Sequence, residues 1–309
     1  MKNILVLACL AFLVLIATSC DTNNYSSPTL HVDWNPTVNS NNQVSIGDAV
    51  SLTILCESTC DVNLTNLVIS YEDNGEVITK LDSGMNISDF QVTKTFYQDT
   101  RNNVTWKVAV MDRERNIIFD EYEINGNPDS QYGSIETYSG IRLAMHEVTD
   151  GPAYLCAQNG YLVPRDSGAF YEQDIDILCY FKYSINNGVN TPSPTFSSPG
   201  EEVSGSGELY DIYYPELLSW QTRNQTLFDI TATNGITAEK YQSCHNDSLL
   251  IHSYNDALGK RKYKWLTAGL YIPVLTARGE HGIIHVVSAD TIAGGFVEFD
   301  LKIQRTEGE

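Results

Sequence analysis

Basic residues are scarce in this 309-residue sequence: 19 Lys and Arg stand against 39 Asp and Glu, for a formal net charge of −20. Nucleic-acid binding requires clustered Lys and Arg to neutralise phosphates, and so acidic a chain is not expected to supply such a cluster. Capture of an anionic membrane surface by a basic patch is disfavoured for the same reason. The composition therefore predicts no nucleic-acid partner.

Long hydrophobic runs are also lacking, except for one at the N-terminus. Ile4–Ile16 is apolar throughout, but its length of about 13 residues is shorter than the roughly 20 that a membrane-spanning helix needs. The run follows Lys2 and precedes the small residues Ala17–Ser19, which is typical of a cleavable signal peptide. We therefore expect residues 1–19 to be removed on export.

Cys20 follows these small residues directly. The segment Ala17-Thr18-Ser19-Cys20 resembles the lipobox of bacterial lipoproteins, with Ala17 in place of the usual Leu, as in the looser boxes of the Bacteroidota. The resemblance implies acylation of Cys20, a polar tether over residues 20–28, and a lipid-anchored location at the outer membrane, facing the cell surface. The alternative is an ordinary signal peptide in which Cys20 is incidental.

Cysteine is sparse, with 7 residues, and no paired Cys-x-x-Cys or His-x-x-His spacing indicates a zinc site. Cys56 and Cys60 flank a short turn, and export would permit a disulfide between them. Cys156 and Cys179 lie in apolar stretches and are predicted to be small core residues. Neither a metal nor a cofactor is predicted.

Residues 29–127 predict a β-sandwich of about 100 residues, because short alternating segments are separated by turn residues. Asp73-Asn74-Gly75 is a strong hairpin signal between two of these segments. The predicted strands are Ala49–Leu55, Leu67–Tyr71, Glu76–Leu81, Phe90–Phe96, Val104–Met111 and Ile117–Ile124.

Residues 134–304 predict a larger β-rich domain with one or two short helices, so the whole chain is expected to be mainly β. The breaker cluster Asn125–Asp129 marks the boundary. Asn186–Gly207 is rich in Ser, Pro, Gly and Asn and is predicted to be a surface loop. Helices are expected within Tyr214–Arg223 and Thr237–Leu250. The predicted strands are Ile135–Leu143, Ile175–Tyr183, Gly269–Thr276, Gly282–Ser288 and Gly295–Ile303.

Both regions resemble parts of Bacteroidota surface lipoproteins. The segments SIGDAVSLTI, LVISYEDNGE and VTWKVAVMDRERNII are similar to immunoglobulin-like or PKD-like modules, although the usual Gly after Val110-Met111-Asp112 is missing. The second region, with Gly168-Ala169-Phe170-Tyr171 and Thr276-Ala277-Arg278-Gly279, resembles a domain found downstream of such modules. The resemblance implies a surface location and carries no established catalytic activity.

Tyrosine is abundant, with 18 residues, and four aromatic residues form the candidate recognition surface. Tyr210, Tyr213 and Tyr214 lie beside the predicted loop, with Trp220 just behind. Aromatic faces stack on sugar rings and on apolar partners, so we predict a glycan-binding or protein-binding surface there.

Three acidic residues offer a catalytic alternative. Glu172, Asp174 and Asp176 alternate with Ile175, and on one strand face they could serve as the paired carboxylates of a glycan hydrolase. The same alternation is typical of the solvated face of a half-buried strand. Ser248 and Thr291 each follow an Asp and precede an apolar residue, which resembles the O-glycosylation acceptor sequence of this bacterial group.

These observations together favour a non-enzymatic, lipid-anchored surface protein that binds a glycan or a protein through its second domain. Two alternatives remain at this point. One is a glycan-active hydrolase that uses carboxylates of the second domain, and the other is a structural adhesin or pilus-like subunit that exchanges an edge strand between chains.

Overall fold

The computed structural model describes residues 27–59, 62–202, 205–231 and 234–305, and its sheets are built from antiparallel strand pairs. The chain is therefore mainly β. The predicted signal peptide, Cys20 and Cys60 lie outside the described residues, so the lipidation and the Cys56–Cys60 disulfide stay predictions. The described residues divide into two compact units, of which the first holds residues 27–37, Val50–Phe96 and Asn103–Asn125, and the second holds Val38–Ala49, Tyr97–Asn102 and residues 126–305.

Two sheets build the first unit, and their side chains meet around Trp106. The strands are β1 (Thr29–Pro36), β2 (Ala49–Glu57), β3 (Leu64–Asp73), β4 (Glu76–Ile87), β5 (Asp89–Tyr97), β6 (Val104–Asp112) and β7 (Ile117–Ile124). One sheet has the order β1-β2-β5 and the other the order β4-β3-β6-β7. The fully buried Trp106 ring of β6 lies 5.3 Å from the ring of Tyr71 in β3 and 5.4 Å from that of Phe96 in β5, between ring centroids.

The predicted strands of the first unit are confirmed, since each lies within or overlaps an observed strand. The hairpin at Asp73-Asn74-Gly75 is confirmed as well. Asn74 and Gly75 have φ angles of 53° and 87°, the left-handed conformation that a two-residue hairpin turn requires and that Asn and Gly adopt most readily. The positions of these strands and of the hairpin therefore follow from local sequence: from the turn residues and from the alternation of apolar and polar side chains.

The second unit contains two larger sheets. Its strands are β8 (Ile135–Ala144), β9 (Pro152–Cys156), β10 (Tyr161–Pro164), β11 (Ile177–Asn186), β12 (Val189–Ser197), β13 (Leu227–Asp229), β14 (Gly259–Lys260), β15 (Lys262–Lys264), β16 (Tyr271–Leu275), β17 (His281–Ala289) and β18 (Phe296–Gln304). The five-stranded sheet has the order β10-β9-β11-β12-β15, and the six-stranded sheet has the order β14-β13-β16-β17-β18-β8.

The main core of the second unit draws on both of its sheets. Cys179 and Phe196 of the five-stranded sheet belong to one buried cluster with Val274, Ile284 and Phe299 of the six-stranded sheet. Burying such apolar side chains contributes roughly 25 cal/mol for each Å² removed from water. Both sheets of the second unit therefore share one apolar core.

A second core covers the opposite face of the five-stranded sheet. Tyr154, Leu178 and Tyr180 point into it, and they pack against a π-helical turn, Leu209–Tyr213, and a 3-10 helix, Pro215–Ser219. The helix expected within Tyr214–Arg223 is therefore this short 3-10 turn. The helix expected within Thr237–Leu250 divides into α1 (Ala238–Gln242) and α2 (Ser248–Ser253).

The prediction that Asn186–Gly207 is a surface loop is wrong. β12 falls wholly within this segment, and it lies inside the five-stranded sheet between β11 and β15. The polar side chains are buried because they find partners: Thr195 donates to the Ser193 carbonyl at 3.0 Å and Ser197 donates to Glu201 at 2.7 Å. Buried hydroxyls with hydrogen bonds cost little, so a polar segment can form an inner strand.

Candidate ligand-binding cleft

The four aromatic residues predicted to form a recognition surface are buried. Tyr210 and Tyr214 are fully buried, Tyr213 is 8% exposed and Trp220 is 6% exposed. Their polar groups are used internally, since the Tyr214 hydroxyl donates to the Cys179 carbonyl at 2.7 Å. These residues form the core beneath the five-stranded sheet, so the prediction of an exposed aromatic surface is corrected.

The three candidate carboxylates do not share one strand face. Glu172 and Asp174 lie in a turn after the 3-10 helix Arg165–Tyr171, and the strand begins only at Ile177. Asp176 is fully buried, where it accepts hydrogen bonds from Arg278 Nη2 at 2.7 Å and from the Ala157 amide at 2.9 Å. Burial raises the pKa of Asp176 to about 6. The prediction that these three carboxylates share one solvated strand face is therefore wrong, and a catalytic role stays untested.

The two candidate glycosylation residues differ in accessibility. Thr291 is exposed in the turn between β17 and β18, whereas Ser248 opens α2, is half-buried and donates to Asn246 at 2.6 Å. Asp247, which precedes Ser248, is buried and accepts from the Gly133 amide at 2.9 Å. O-glycosylation of either residue stays a prediction.

Cysteines of the described chain are all in protein interiors. Cys156 and Cys179 are buried, as predicted, and so are Cys56 and Cys244. Burial raises the pKa of the Cys56 thiol to about 11. In the described part of the chain, no group of three or more His, Cys, Asp and Glu side chains is placed to hold a metal ion.

A cleft of about 740 Å³ opens at one edge of the second unit. Its wall is the segment from Gly259 to Trp265, which passes from one sheet to the other: β14 is the edge strand of the six-stranded sheet and β15 is the edge strand of the five-stranded sheet. Clefts of roughly 300–1,000 Å³ accommodate small-molecule ligands. The sheet edge therefore offers a ligand-sized space on a rigid support.

Strand alternation separates the side chains of β15. Tyr263 packs against the main core, while Lys262 and Lys264 share the other face. Thr195 pairs with Lys264 and Ser197 with Lys262 across the neighbouring β12. This register places two ammonium groups beside a row of buried hydroxyls.

The cleft is rich in positive charge. Lys260, Arg261, Lys262 and Lys264 line it together with Glu201 and Glu202, so cations outnumber carboxylates. These four residues fall within five consecutive positions of a chain that has only 19 Lys and Arg. The expectation that the basic residues do not cluster is therefore wrong, and the signal that reveals the cluster is the sequence KRKYK itself.

Among the described residues, only one of these four cations forms an ion pair. Lys262 contacts Glu201 in an ion pair and lies 4.0 Å from Glu202. Lys260, Arg261 and Lys264 make no ion pair or side-chain hydrogen bond that joins them to the described residues, and Arg261 Nε is buried without a partner there. Three cationic groups therefore remain available to a ligand.

The electrostatic effect of the cluster is visible on neighbouring groups. The pKa of Lys264 is lowered mainly by its partial burial and further by the positive charges of Lys182 and Lys262. The hydrogen bond from Lys182 lowers the pKa of Glu208, and burial opposes this effect. The positive charges of Lys262 and Lys264 lower the pKa further. A carboxylate next to this cluster is thus stabilised in its charged form.

Glu201 is held in a fixed position within the cleft. It is 7% exposed and accepts hydrogen bonds from Ser197 at 2.7 Å and from the Tyr180 hydroxyl at 3.1 Å, in addition to its contact with Lys262. A buried charge with several partners is rigid, which is a property of preorganised binding sites.

Trp265 directly follows β15 and has an unusual backbone conformation. Its φ angle is 59°, a region that costs a bulky L-residue roughly 1–2 kcal/mol. Its amide donates to Ser193 Oγ at 3.3 Å and its indole Nε1 donates to Thr191 at 3.2 Å, and the side chain is half-buried at the cleft wall. Strained residues cluster at functional sites, so the indole is a candidate ligand contact.

Comparisons with known proteins add little to this description. No family model matches the sequence, and no curated protein matches it. A crystal structure of a DUF4466 family protein from Parabacteroides merdae ATCC 43184 is similar with a TM-score of 0.44 and 12% identity, over 91% of this chain and 100% of that one. A β-glucosidase from Listeria innocua is similar with a TM-score of 0.24 and 11% identity, over 33% of this chain and 16% of that one. TM-scores this low do not establish a common fold.

Proposed function

We propose that this chain is a non-enzymatic binding protein of the bacterial surface, anchored by a lipid on Cys20, whose second unit takes a glycan into the cleft at β15. The observation that carries the proposal is the cleft itself, with the strained Trp265 and the fixed Glu201 on its wall. An indole stacks on a sugar ring, and carboxylates accept hydrogen bonds from its hydroxyls. Both groups suit an oligosaccharide.

The arrangement of the cleft carboxylates favours binding over hydrolysis. Glycosidases place two carboxylates on opposite sides of the scissile bond, about 5–9.5 Å apart. In this cleft both oxygens of Glu201 are already occupied, one by Lys262 and the other by Ser197 and Tyr180, and Glu202 lies 4.0 Å from the same ammonium group. Glu172, Asp174 and Asp176 do not belong to the lining of the cleft among the described residues.

The first unit fits the role of a spacer. Its three-stranded and four-stranded antiparallel sheets supply side chains to one core around Trp106, and this arrangement supports an immunoglobulin-like or PKD-like module. Among the described residues, no helix is long and apolar enough to cross a membrane. The proposed N-terminal lipid rests instead on the resemblance of Ala17-Thr18-Ser19-Cys20 to a lipobox.

Two measurements test the proposal. An oligosaccharide panel titrated against the full chain and against Trp265→Ala is expected to give binding that the variant loses, with the sugar recovered intact by mass spectrometry. Release of shorter products would instead indicate a hydrolase. Palmitate labelling of cells is expected to mark the wild-type chain and not Cys20→Ala, and equal labelling of both would contradict the lipid anchor.

A further inference from the structure

The charge of the cleft carries an inference about the class of glycan, and it rests on the proposed function. From the cations of the cleft wall that form no ion pair with the described residues, we infer that the ligand is an acidic oligosaccharide whose carboxylate lies against Lys264. The alternatives, a neutral sugar or an acidic peptide, are outcomes of the test below.

The positive charge of Lys264 is only partly compensated, because the carboxylates of Glu201 and Glu208 act on it but neither forms an ion pair with it. Lys264 is partly withdrawn from water beside Lys182 and Lys262, and it makes no ion pair with the described residues. Withdrawing a cation from water next to like charges is unfavourable. An anionic ligand would offset that cost, because a carboxylate near an ammonium group of low exposure gains a charge-assisted hydrogen bond.

The lysines of this cluster already stabilise one carboxylate of the chain, that of Glu208. Lys182 contacts it directly, and the charges of Lys262 and Lys264 also favour its ionised form. Half of the Glu208 side chain is exposed, at 53%, so solvent competes for this contact. Three lysines therefore already stabilise one carboxylate, and a ligand carboxylate at Lys264 meets the same field.

The two carboxylates of the cleft disfavour compact polyanions as ligands. Glu201 and Glu202 lie in the same cleft as the cations, and they would repel a phosphate cluster or a nucleic-acid backbone. A sugar acid combines one carboxylate with several hydroxyl donors, and those hydroxyls can donate to Glu201 and Glu202. The mixed lining therefore matches a ligand that carries both kinds of group.

The indole of Trp265 provides an apolar surface next to Lys264. Lys264 Nζ lies 5.6 Å from the centroid of the Trp265 ring, so the cation and the apolar surface are adjacent. A uronic-acid residue presents a carboxylate at the edge of a ring whose face can stack on an indole. Lys264 and Trp265 are thus spaced to contact one sugar unit.

Calorimetric titration of the full chain tests the inference, with a short oligogalacturonate as the acidic probe. Lys264→Gln is expected to weaken its binding by about tenfold or more, the loss expected for one charge contact. Lys240→Gln removes an equal charge from exposed helix α1 outside the cleft and is expected to leave the affinity unchanged. Circular dichroism confirms that both variants are folded.

The other outcomes separate the inference from the proposed function. A neutral oligosaccharide of equal length that binds as tightly, and that depends on Trp265 but not on Lys264, would overturn the inference and leave the proposed function standing. Binding of polyglutamate in preference to oligogalacturonate would overturn the sugar class. If neither an acidic nor a neutral oligosaccharide binds, both the inference and the proposed function are contradicted.

Discussion

The second unit contains two charged clusters: in one the charges are paired, and in the other most of the cations have no ion-pair partner among the described residues. In the first, which we call the Arg165 cluster, Arg165 Nε and Nη2 donate to the two oxygens of Glu216 at 2.6 and 3.0 Å, and the remaining donors reach the carbonyls of His146 and Tyr213, each at 2.7 Å. The Tyr154 hydroxyl also donates to Glu216, at 2.8 Å. In the cleft, by contrast, Lys260, Arg261 and Lys264 have no ion-pair partner among the described residues.

This difference separates structural charge from charge that is available for binding. A half-buried ion pair whose hydrogen bonds are all made holds its elements together, and removal of one member leaves the other uncompensated. Cations in a cleft without partners contribute nothing comparable to folding. Substitutions in the Arg165 cluster should therefore cost stability, and substitutions in the cleft should cost binding instead.

The largest effect is expected when the Arg165 cluster is broken. Arg165→Ala removes both bonds to Glu216 and the stacking of the guanidinium on Tyr214, 4.6 Å from its ring centroid. We expect the free energy of unfolding to fall by about 2–4 kcal/mol in urea denaturation. A double-mutant cycle with Glu216→Ala should be strongly non-additive. A loss below about 0.5 kcal/mol would show that this network is not structural.

A second paired charge should give a pH-dependent effect of similar or smaller size. Burial raises the pKa of Asp176 from 3.8 to about 6, so between these values the folded chain binds a proton that the unfolded chain does not. The contribution of Asp176 to stability therefore increases as the pH falls from about 6 to about 4 and is lost as the pH rises through about 6.

Asp176→Asn removes this titration. As the pH falls from about 7 to about 4, the wild-type chain should gain on the order of 2–3 kcal/mol in unfolding free energy relative to the variant. Urea denaturation of both chains across this range measures it. A difference that does not change with pH would contradict the raised pKa.

At the cleft wall, a smaller effect is expected from the backbone of Trp265. The φ angle of 59° suits glycine, so Trp265→Gly should be more stable than Trp265→Ala by about 1 kcal/mol, although glycine is the smaller residue. Thermal unfolding compares the two variants, and both should lose ligand binding. If the Ala variant is the more stable one, the conformation at this position is not strained.

The smallest effect on stability is expected for Lys264→Gln. Its ammonium group has no ion-pair partner in the described part of the chain and is close to two other lysines, so its loss should change the free energy of unfolding by less than about 0.5 kcal/mol, toward higher stability. Urea denaturation beside Arg165→Ala measures the contrast. A loss as large as that of Arg165→Ala would remove the distinction between the two clusters.

Local sequence signals predicted the first unit well and the second only in part. Asn74 and Gly75 specify their turn through their own backbone preferences, and β6 alternates along its whole length. In β12 the alternation is also present, with Pro192, Pro194 and Phe196 on one face and Ser and Thr on the other. The composition of the segment favours a loop, and the pattern alone does not reveal that its buried hydroxyls are satisfied nearby, on the Ser193 carbonyl and on Glu201.

The cleft illustrates the same limit. The sequence KRKYK is visible without a structure, but its significance depends on the passage from β14 in one sheet to β15 in the other. The aromatic residues at positions 210, 213 and 214 follow a polar segment, and this position alone predicts that they are exposed. Their burial arises from packing against Tyr154 and Tyr180, and these contacts join residues 30 or more positions apart.

The most direct measurement compares two forms of one ligand: an oligogalacturonate as the free acid and as its methyl ester, each titrated calorimetrically into the full chain at low and at high ionic strength. Both forms have the same sugar rings, so only the carboxylate charge differs. The account predicts that the free acid binds about tenfold or more tightly at low salt and that the advantage shrinks as salt screens the charges. Equal affinity of the two forms at low salt would contradict it.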